Sequence, residues 1–193
     1  MRKLVYFVAT TLDGFIAGPD GGDPSGEPFL PVTEDLVAFL VEHYPETLPG
    51  PARAAMGLDG PGRAFDTVVE GRRSYEVGLV AGVTDAYPHL RHLVLSTTLT
   101  SVPGERVELV RDDALDRVRR LKAEDGLDVW LVGGGTLAHS LLPEIDRLVL
   151  KVNPSIIGSG IPLFAGPFAP CTFHPVAEVP LAGGVRVVTY DRT

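Results

Sequence analysis

The 193-residue chain has one cysteine, one tryptophan and two methionines. A single thiol excludes an internal disulfide and fits a reducing compartment. Cys171, with no second thiol to pair with, is expected to be a small buried apolar side chain. No apolar run is long enough to span a bilayer. The first, Leu4 to Ala9, is also shorter than a signal-peptide core, so it reads as a buried strand and the protein as cytoplasmic. Basic charge is scarce as well. Lys and Arg total 17 against 25 Asp and Glu, and the net charge of −8 excludes nucleic acid and anionic membrane as ready partners. An anionic ligand would need a local basic pocket.

Several catalytic signatures are missing. No G-x-S-x-G is present, because Gly158-Ser159-Gly160 has the wrong spacing, and there is no phosphate loop of the GKT type. His89-x-x-His92 is the one close histidine pair, and it lacks a nearby third ligand, so no metal site is expected.

At this length a single domain over 1–193 with a sizeable core is expected. Leu4–Ala9, Phe65–Glu70, His92–Ser96, Val107–Val110, Asp128–Val132 and Leu148–Val152 read as strands. Thr33–His43 reads as a helix with Thr33 at its N-cap, and Thr136–Leu142 as a short helix. Asp112–Glu124 is amphipathic and buries Leu115, Val118 and Leu121. Its Arg117, Arg119, Arg120 and Lys122 read as a solvated face that complements the helix dipole. Thr172–Val179 and Val185–Tyr190 alternate as strands with no helix between them. Such alternation, ending in a strand pair, specifies an α/β fold whose mainly parallel sheet has an antiparallel C-terminal edge. Between them, PETLPGPARAAMGLDGPGR holds four of the 17 prolines and four of the 22 glycines, and reads as an insertion at about 45–63 that covers something.

The stretch DVWLVGGGTLAHSLL sets Gly133, Gly134 and Gly135 between a strand and a helix. Bare backbone at a helix start can hold a phosphate, since a Cβ would keep the ligand off the amides. The third glycine of G-x-G-x-x-G is missing, and Asn153 stands where a dinucleotide fold would place an acid, so a Rossmann unit is disfavoured. A tight turn explains the glycines equally well. Gly71-Arg72-Arg73-Ser74 is a second such junction, with two cations at a helix start, where they oppose the dipole unless an anion lies between them. Surface pairing of the arginines with Glu70 and Glu76 is the other reading.

TTLDGFIAGPDG, DTVVEGRRSYEVG, HLVLSTTL, DVWLVGGGTLAHSLL and DRLVLKVNPSIIGSGIPLF follow one another in the order and spacing of the dihydrofolate reductase superfamily. The chain most resembles the reductase domain of the bacterial bifunctional riboflavin-biosynthesis deaminase-reductase, over nearly its whole length apart from the insertion. No deaminase zinc signature is present, so the reductase half alone is represented. The resemblance implies a three-layer dihydrofolate-reductase-like fold, helices on both faces of the sheet, and NADPH lying across it. Gly133, Gly134, Gly135, Thr136 and Leu137 would meet the pyrophosphate and the nicotinamide end. The first two glycines are often joined by a cis peptide in the family. Gly71, Arg72, Arg73 and Ser74 would hold the pyrophosphate and the adenosine ribose phosphate, with Ser96 and Thr97 flanking that ribose. Ala9 and the loop Asp13–Ala17, Ile16 included, would close over the nicotinamide, and Asn153–Ile161 would line the pocket wall.

For the chemistry, Asp35 falls nearest the carboxylate that folate reductases carry on the helix after the first loop; ordinary helix-start chemistry explains it too. Asp13 is the second candidate, and an Asp-Gly turn accounts for it equally. Relatives favour Thr where this chain has Ser74, and often carry Arg in the loop at Ser96-Thr97-Thr98, which leaves NADPH preference resting on Arg72 and Arg73. The implied activity is NADPH-dependent reduction of a nitrogen heterocycle or ribosylaminopyrimidine, with the riboflavin intermediate first and dihydrofolate or a pterin second. A nucleotide-binding module without turnover is the alternative of another class. A homodimer is expected from the family, with a small-molecule substrate and no nucleic-acid or membrane partner.

Overall fold

The computed structural model describes residues 1–193. In chain order the elements are β1 (Leu4–Thr11), β2 (Phe15–Ala17), α1 (Glu34–His43), α2 (Gly50–Ala55), β3 (Phe65–Gly71), α3 (Arg72–Val80), β4 (Arg91–Leu95), β5 (Val107–Val110), α4 (Ala114–Ala123), β6 (Asp128–Leu131), α5 (Gly135–Ser140), β7 (Ile145–Asn153), β8 (Ile161–Pro162), β9 (Phe173–Pro180) and β10 (Arg186–Arg192). No helix is long and apolar enough to cross a membrane.

Alternation along the central strands explains the layering. In β1, Leu4 and Tyr6 enter one core while Val5 and Phe7 enter another, so a single strand is covered on both faces. In β6, Val129 and Leu131 side with the first pair, and Trp130 with the second. Helices α4 and α5 close the first core with Val118, Leu121, Ala138 and Leu141. Leu36 and Leu40 of α1 close the second, and their burial holds the helix down by about 3–6 kcal/mol before entropy is counted. Tyr75 of α3 packs a third cluster with Val94 and Val107.

The eight-stranded sheet has the order β5-β4-β3-β6-β1-β7-β10-β9. Pairings from β5 through β7 are parallel, and β10 and β9 form the antiparallel edge. This is the dihydrofolate-reductase-like α/β fold. From β3 the chain moves outward to β4, whereas from β6 it crosses β1 to reach β7. Adjacent strands that depart in opposite directions open a crevice at their C-terminal ends, which is where such sheets bind ligands.

The Pro/Gly-rich stretch packs over the α1 side of the sheet, placing Leu48 in the second core. Glu46 is fully buried there, and its carboxylate accepts from the backbone N–H groups of Arg63 (3.1 Å), Ala64 and Phe65 (both 2.7 Å). Buried Arg53 donates to the carbonyls of Pro45 (2.7 Å) and Gly60 (2.8 Å), so a segment poor in regular structure satisfies its polar groups through two side chains.

Three local expectations need correcting. Cys171 is exposed, because it falls in the loop before β9 rather than in a strand, and Arg192 donates to its sulfur. Lys122 is buried rather than solvated, since it reaches across to Asp146 at 2.8 Å and Glu144 at 3.4 Å. Thr33 does occupy the N-cap of α1, but its side chain makes no capping bond.

Candidate functional site

The two strand-to-helix junctions meet at the mouth of the sheet. The N–H of Gly71, at the end of β3, donates to the carbonyl of Gly133 at 3.3 Å, and Val132 N–H donates to Val69 at 3.0 Å. Neighbouring parallel strands β3 and β6 bring them together, although 62 positions separate the two glycines in sequence.

The three consecutive glycines serve different ends. Gly133 has φ of +147°, a backbone state that side chains disfavour, and is joined to Gly134 by a cis peptide. A methyl built on Gly134 would meet nothing within 4 Å, so its backbone is open to an approaching group. Gly135 is required by packing instead. A Cβ there would fall inside contact distance of the Pro162 carbonyl, and the Gly135 carbonyl accepts from Ala165 N–H at 2.9 Å. Thr136 is exposed beside it, and Leu137 lies half-buried, with its Cδ2 3.5 Å from where a Cβ on Gly71 would stand.

At the other junction Gly71 is the N-cap of α3 and supplies no side-chain cap, and the first turn carries no acid. The first amides of this nine-residue helix therefore face the mouth without a protein acceptor. Arg72 pairs with Glu76 at 3.6 Å on the exposed surface. Glu70 is not an arginine partner. It is buried and accepts from His92 Nε2 at 2.6 Å, while His92 Nδ1 faces Asp85 at 2.9 Å. Burial pulls the imidazole pKa down, but the two carboxylates outweigh it, and the net shift is upward. Arg73 is left without a carboxylate, its Nη1 3.8 Å from where a Cβ on Gly21 would stand. Ser74 is half-buried behind it.

Ser96 sits one residue past β4, level with this junction because Leu95 pairs with Gly71. Its hydroxyl accepts from Thr98 N–H (3.2 Å) and Leu99 N–H (3.0 Å), which commits it to its own turn and leaves Thr97 exposed at the rim.

On the other side of the glycines, β2 pairs with β8 and carries buried Ile16 and Ala17 over the turn. Ile16 Cδ1 lies 3.8 Å from where a Gly133 Cβ would stand. Leu163 N–H donates to the Gly14 carbonyl (2.8 Å) and the Tyr6 hydroxyl to the Leu163 carbonyl (3.1 Å), which stitches the loop to the floor. Ala9 lies in β1, paired in register with Lys151 of β7.

The two candidate carboxylates are held by the backbone. Asp13 accepts from the Thr11 hydroxyl (2.6 Å) and from Gly158 (2.7 Å) and Ile157 (3.1 Å) N–H groups, anchoring its loop to the segment after β7. The Thr11 bond lowers its pKa most; burial opposes it, and the Gly158 and Ile157 amides add to the lowering, so the net shift is downward. Asp35 accepts from Gly183 (2.6 Å) and Leu36 (3.0 Å), tying α1 to the β9–β10 hairpin. Its pKa is lowered by the Thr33 hydroxyl first and the Gly183 amide second. Neither group is arranged to hold a proton near neutral pH. Lys151 was missed by sequence reasoning. Nothing in the local pattern marks a lysine in a buried strand beyond the rarity of that residue type there.

A family model described as the RibD C-terminal domain matches residues 68–173, the part of the chain that carries both junctions. The chain belongs to this family. Among solved structures, the RibD C-terminal-domain chain is similar to a protein assigned to riboflavin biosynthesis in Shewanella sp. PV-4, with 25% identity, a TM-score of 0.69, and coverage of 100% of this chain and 99% of that one. It also matches the diaminohydroxyphosphoribosylaminopyrimidine deaminase/5-amino-6-(5-phosphoribosylamino)uracil reductase of Thermotoga maritima, at 16% identity and a TM-score of 0.66, spanning 57% of that longer chain. Dihydrofolate reductase of Enterococcus faecalis, complexed with NADP(H), aligns over 99% of this chain and 96% of its own, with a TM-score of 0.63 and 19% identity. The chain is thus a member of the RibD C-terminal-domain family and shares the dihydrofolate-reductase-like fold of these structures.

Proposed function

We propose that the protein is an NADPH-dependent reductase of a flat nitrogen heterocycle or ribosylaminopyrimidine, most like a 5-amino-6-(5-phosphoribosylamino)uracil reductase. The observation that carries this reading is the Gly71–Gly133 hydrogen bond, which places the uncapped start of α3, the open Gly134 backbone and the unpaired Arg73 around one crevice. These are donors and space for a diphosphate, with no protein side chain filling them. The Enterococcus faecalis enzyme, which shares the fold, is complexed with NADP(H).

When bound, NADPH supplies the hydride. The chain's own residues bind, orient and exclude water. Gly133 and Gly134 admit the ligand to the backbone, with Gly71, Ser74, Thr136 and Leu137 around them. Arg72 and Arg73 take the phosphate charge, and Ser96 and Thr97 border the far ribose. Ile16, Ala17 and Ala9 shield the reacting end. Asp35 and Asp13 keep the two walls in place.

Energy transfer from the buried Trp130, on the strand that leads into Gly133, would report binding of the reduced cofactor. Replacing Arg72 and Arg73 together by Ala should weaken NADPH by about 10- to 100-fold, the worth of one or more charge-assisted bonds, and NADH far less. Equal losses for the two cofactors would refute the phosphate contact. Steady NADPH oxidation with the phosphoribosylaminouracil or dihydrofolate separates an enzyme from a nucleotide-binding module.

A further inference from the structure

Of the five histidines, His92 alone is buried. Its side chain has no exposed surface, and its ring nitrogens stand 2.6 Å from Glu70 Oε1 and 2.9 Å from Asp85 Oδ1. An ionised carboxylate only accepts, so both nitrogens carry protons and the ring is an imidazolium. Neither carboxylate has another cationic partner. The other polar neighbours of the ring are phenols. Tyr75 of α3 and Tyr87 of the loop before β4 meet it edge-on, with ring centres 6.0 and 5.8 Å away, and β5 pairs with it through apolar Val107. Burial pushes both phenols upward, so neither titrates near neutral pH.

This cluster stands directly behind the anion-facing junction. Glu70 immediately precedes Gly71, the N-cap of α3, whose N–H bonds Gly133 across the crevice. The Cα atoms of Glu70 and Arg73 are at most about 11 Å apart, three steps of about 3.8 Å along the chain. That is about one Debye length at 0.1 M salt, and buried charges are screened less than exposed ones. When the proton leaves, one carboxylate loses its donor. Asp85 is the one released: it keeps the Tyr87 N–H at 3.1 Å and is 14% exposed, whereas Glu70 is 4% exposed and has no other donor. The cluster's net charge then passes from −1 to −2 beside the helix start.

We propose that His92 is a positioning residue for the anion site: its proton cancels the Glu70 charge behind the start of α3, its loss weakens cofactor binding, and cofactor binding in turn takes up a proton. This rests on the reductase reading and adds to it a pH dependence of cofactor affinity. The range follows from the ring's surroundings. Burial opposes the imidazolium, but the bonds to Glu70 and Asp85 outweigh it, so the proton is lost above the ordinary histidine range. One unit of charge at about 11 Å and an effective dielectric constant of about 20 changes anion affinity by about 10-fold, which salt reduces to about 3- to 10-fold.

The test follows the imidazole and the cofactor on the full chain. In NMR spectra of protein with 13C-labelled histidine, the His92 signal is the one missing from His92→Gln. With NADP bound it should titrate at a pH higher by about 0.5–1, the same 3- to 10-fold read from the other side of the linkage. The Kd for NADPH, measured by energy transfer from Trp130, should rise by about 3- to 10-fold as pH climbs through that titration. NADH should follow the same trend, which separates the protein's proton from any on the adenosine phosphate. His92→Gln should show no such rise. Asp85→Asn, which keeps the histidine, should shift the fall in affinity to lower pH. A His92 titration that NADP leaves in place, an affinity that stays flat through it, or an Asp85→Asn midpoint that does not move overturns the assignment. Binding of neither NADPH nor NADH at any pH would instead overturn the reductase reading, and the inference with it.

Discussion

Gly134 and Gly135 are neighbours in sequence, and replacing each by alanine should have opposite consequences. At Gly135 the added methyl collides with the Pro162 carbonyl and stands 3.3 Å from Ala165 N and Cβ, all parts of one short segment. Overpacking of this kind costs about 1–3 kcal/mol. If the segment moves away it also weakens the Ala165–Gly135 hydrogen bond, worth about 0.5–1.5 kcal/mol, for a total of about 2–4 kcal/mol. For a chain of this size the melting temperature should fall by about 5–15 °C. At Gly134 the backbone has φ −70° and ψ 164°, which alanine adopts freely, and the methyl points into open space. Stability should stay within about 0.5 kcal/mol of the wild type. The methyl does occupy the crevice, however, and loss of one charge-assisted contact should weaken NADPH by about 10- to 100-fold. Scanning calorimetry and a Trp130 energy-transfer titration read the two effects separately. If Gly134→Ala melts as early as Gly135→Ala, or binds NADPH as the wild type does, the division of labour among the glycines is wrong.

Two further predictions concern stability. His92 is held between Glu70 and Asp85 with its folded pKa raised, so the ionic cluster stabilises the fold fully below the unfolded value of about 6.5, and that contribution fades as pH climbs through the folded value. Melting temperatures followed from slightly acidic to alkaline pH should show this decline in the wild type, and a His92→Gln variant with the same slope would contradict it. Glu46→Ala strips the acceptor from three backbone N–H groups at the entry to β3, and should cost about 3–5 kcal/mol in denaturant unfolding. Glu46→Gln, which keeps one acceptor oxygen, should lose clearly less; equal losses would mean that the carboxylate is not what holds the insertion.

Much of this architecture was legible in the residue order. Strands at Val107–Val110 and Phe65–Gly71, and the helix at Ala114–Ala123, fall within a residue or two of where alternation and amphipathic spacing place them. Those patterns are local, set by which side chains must leave water within one turn or one pleat. Both strand-to-helix junctions were visible for the same reason, since Gly and Arg at a helix start are a local oddity.

What the sequence could not decide was adjacency. Gly71 and Gly133 meet because β3 and β6 are neighbours in the sheet, a fact of strand order that no local pattern encodes. The same holds for partners across the fold: Glu70 belongs to His92 rather than to an arginine, Asp13 to the amides of Ile157 and Gly158, and Lys122 to Asp146. Lys151 makes the point most sharply. In sequence it is one polar residue near the end of an apolar strand; in the fold it is an ammonium facing an alanine, on the covered side of a sheet, with no counter-charge. Residue type fixes what a side chain is able to do, and tertiary packing, by removing water and choosing neighbours, fixes what it is left to do.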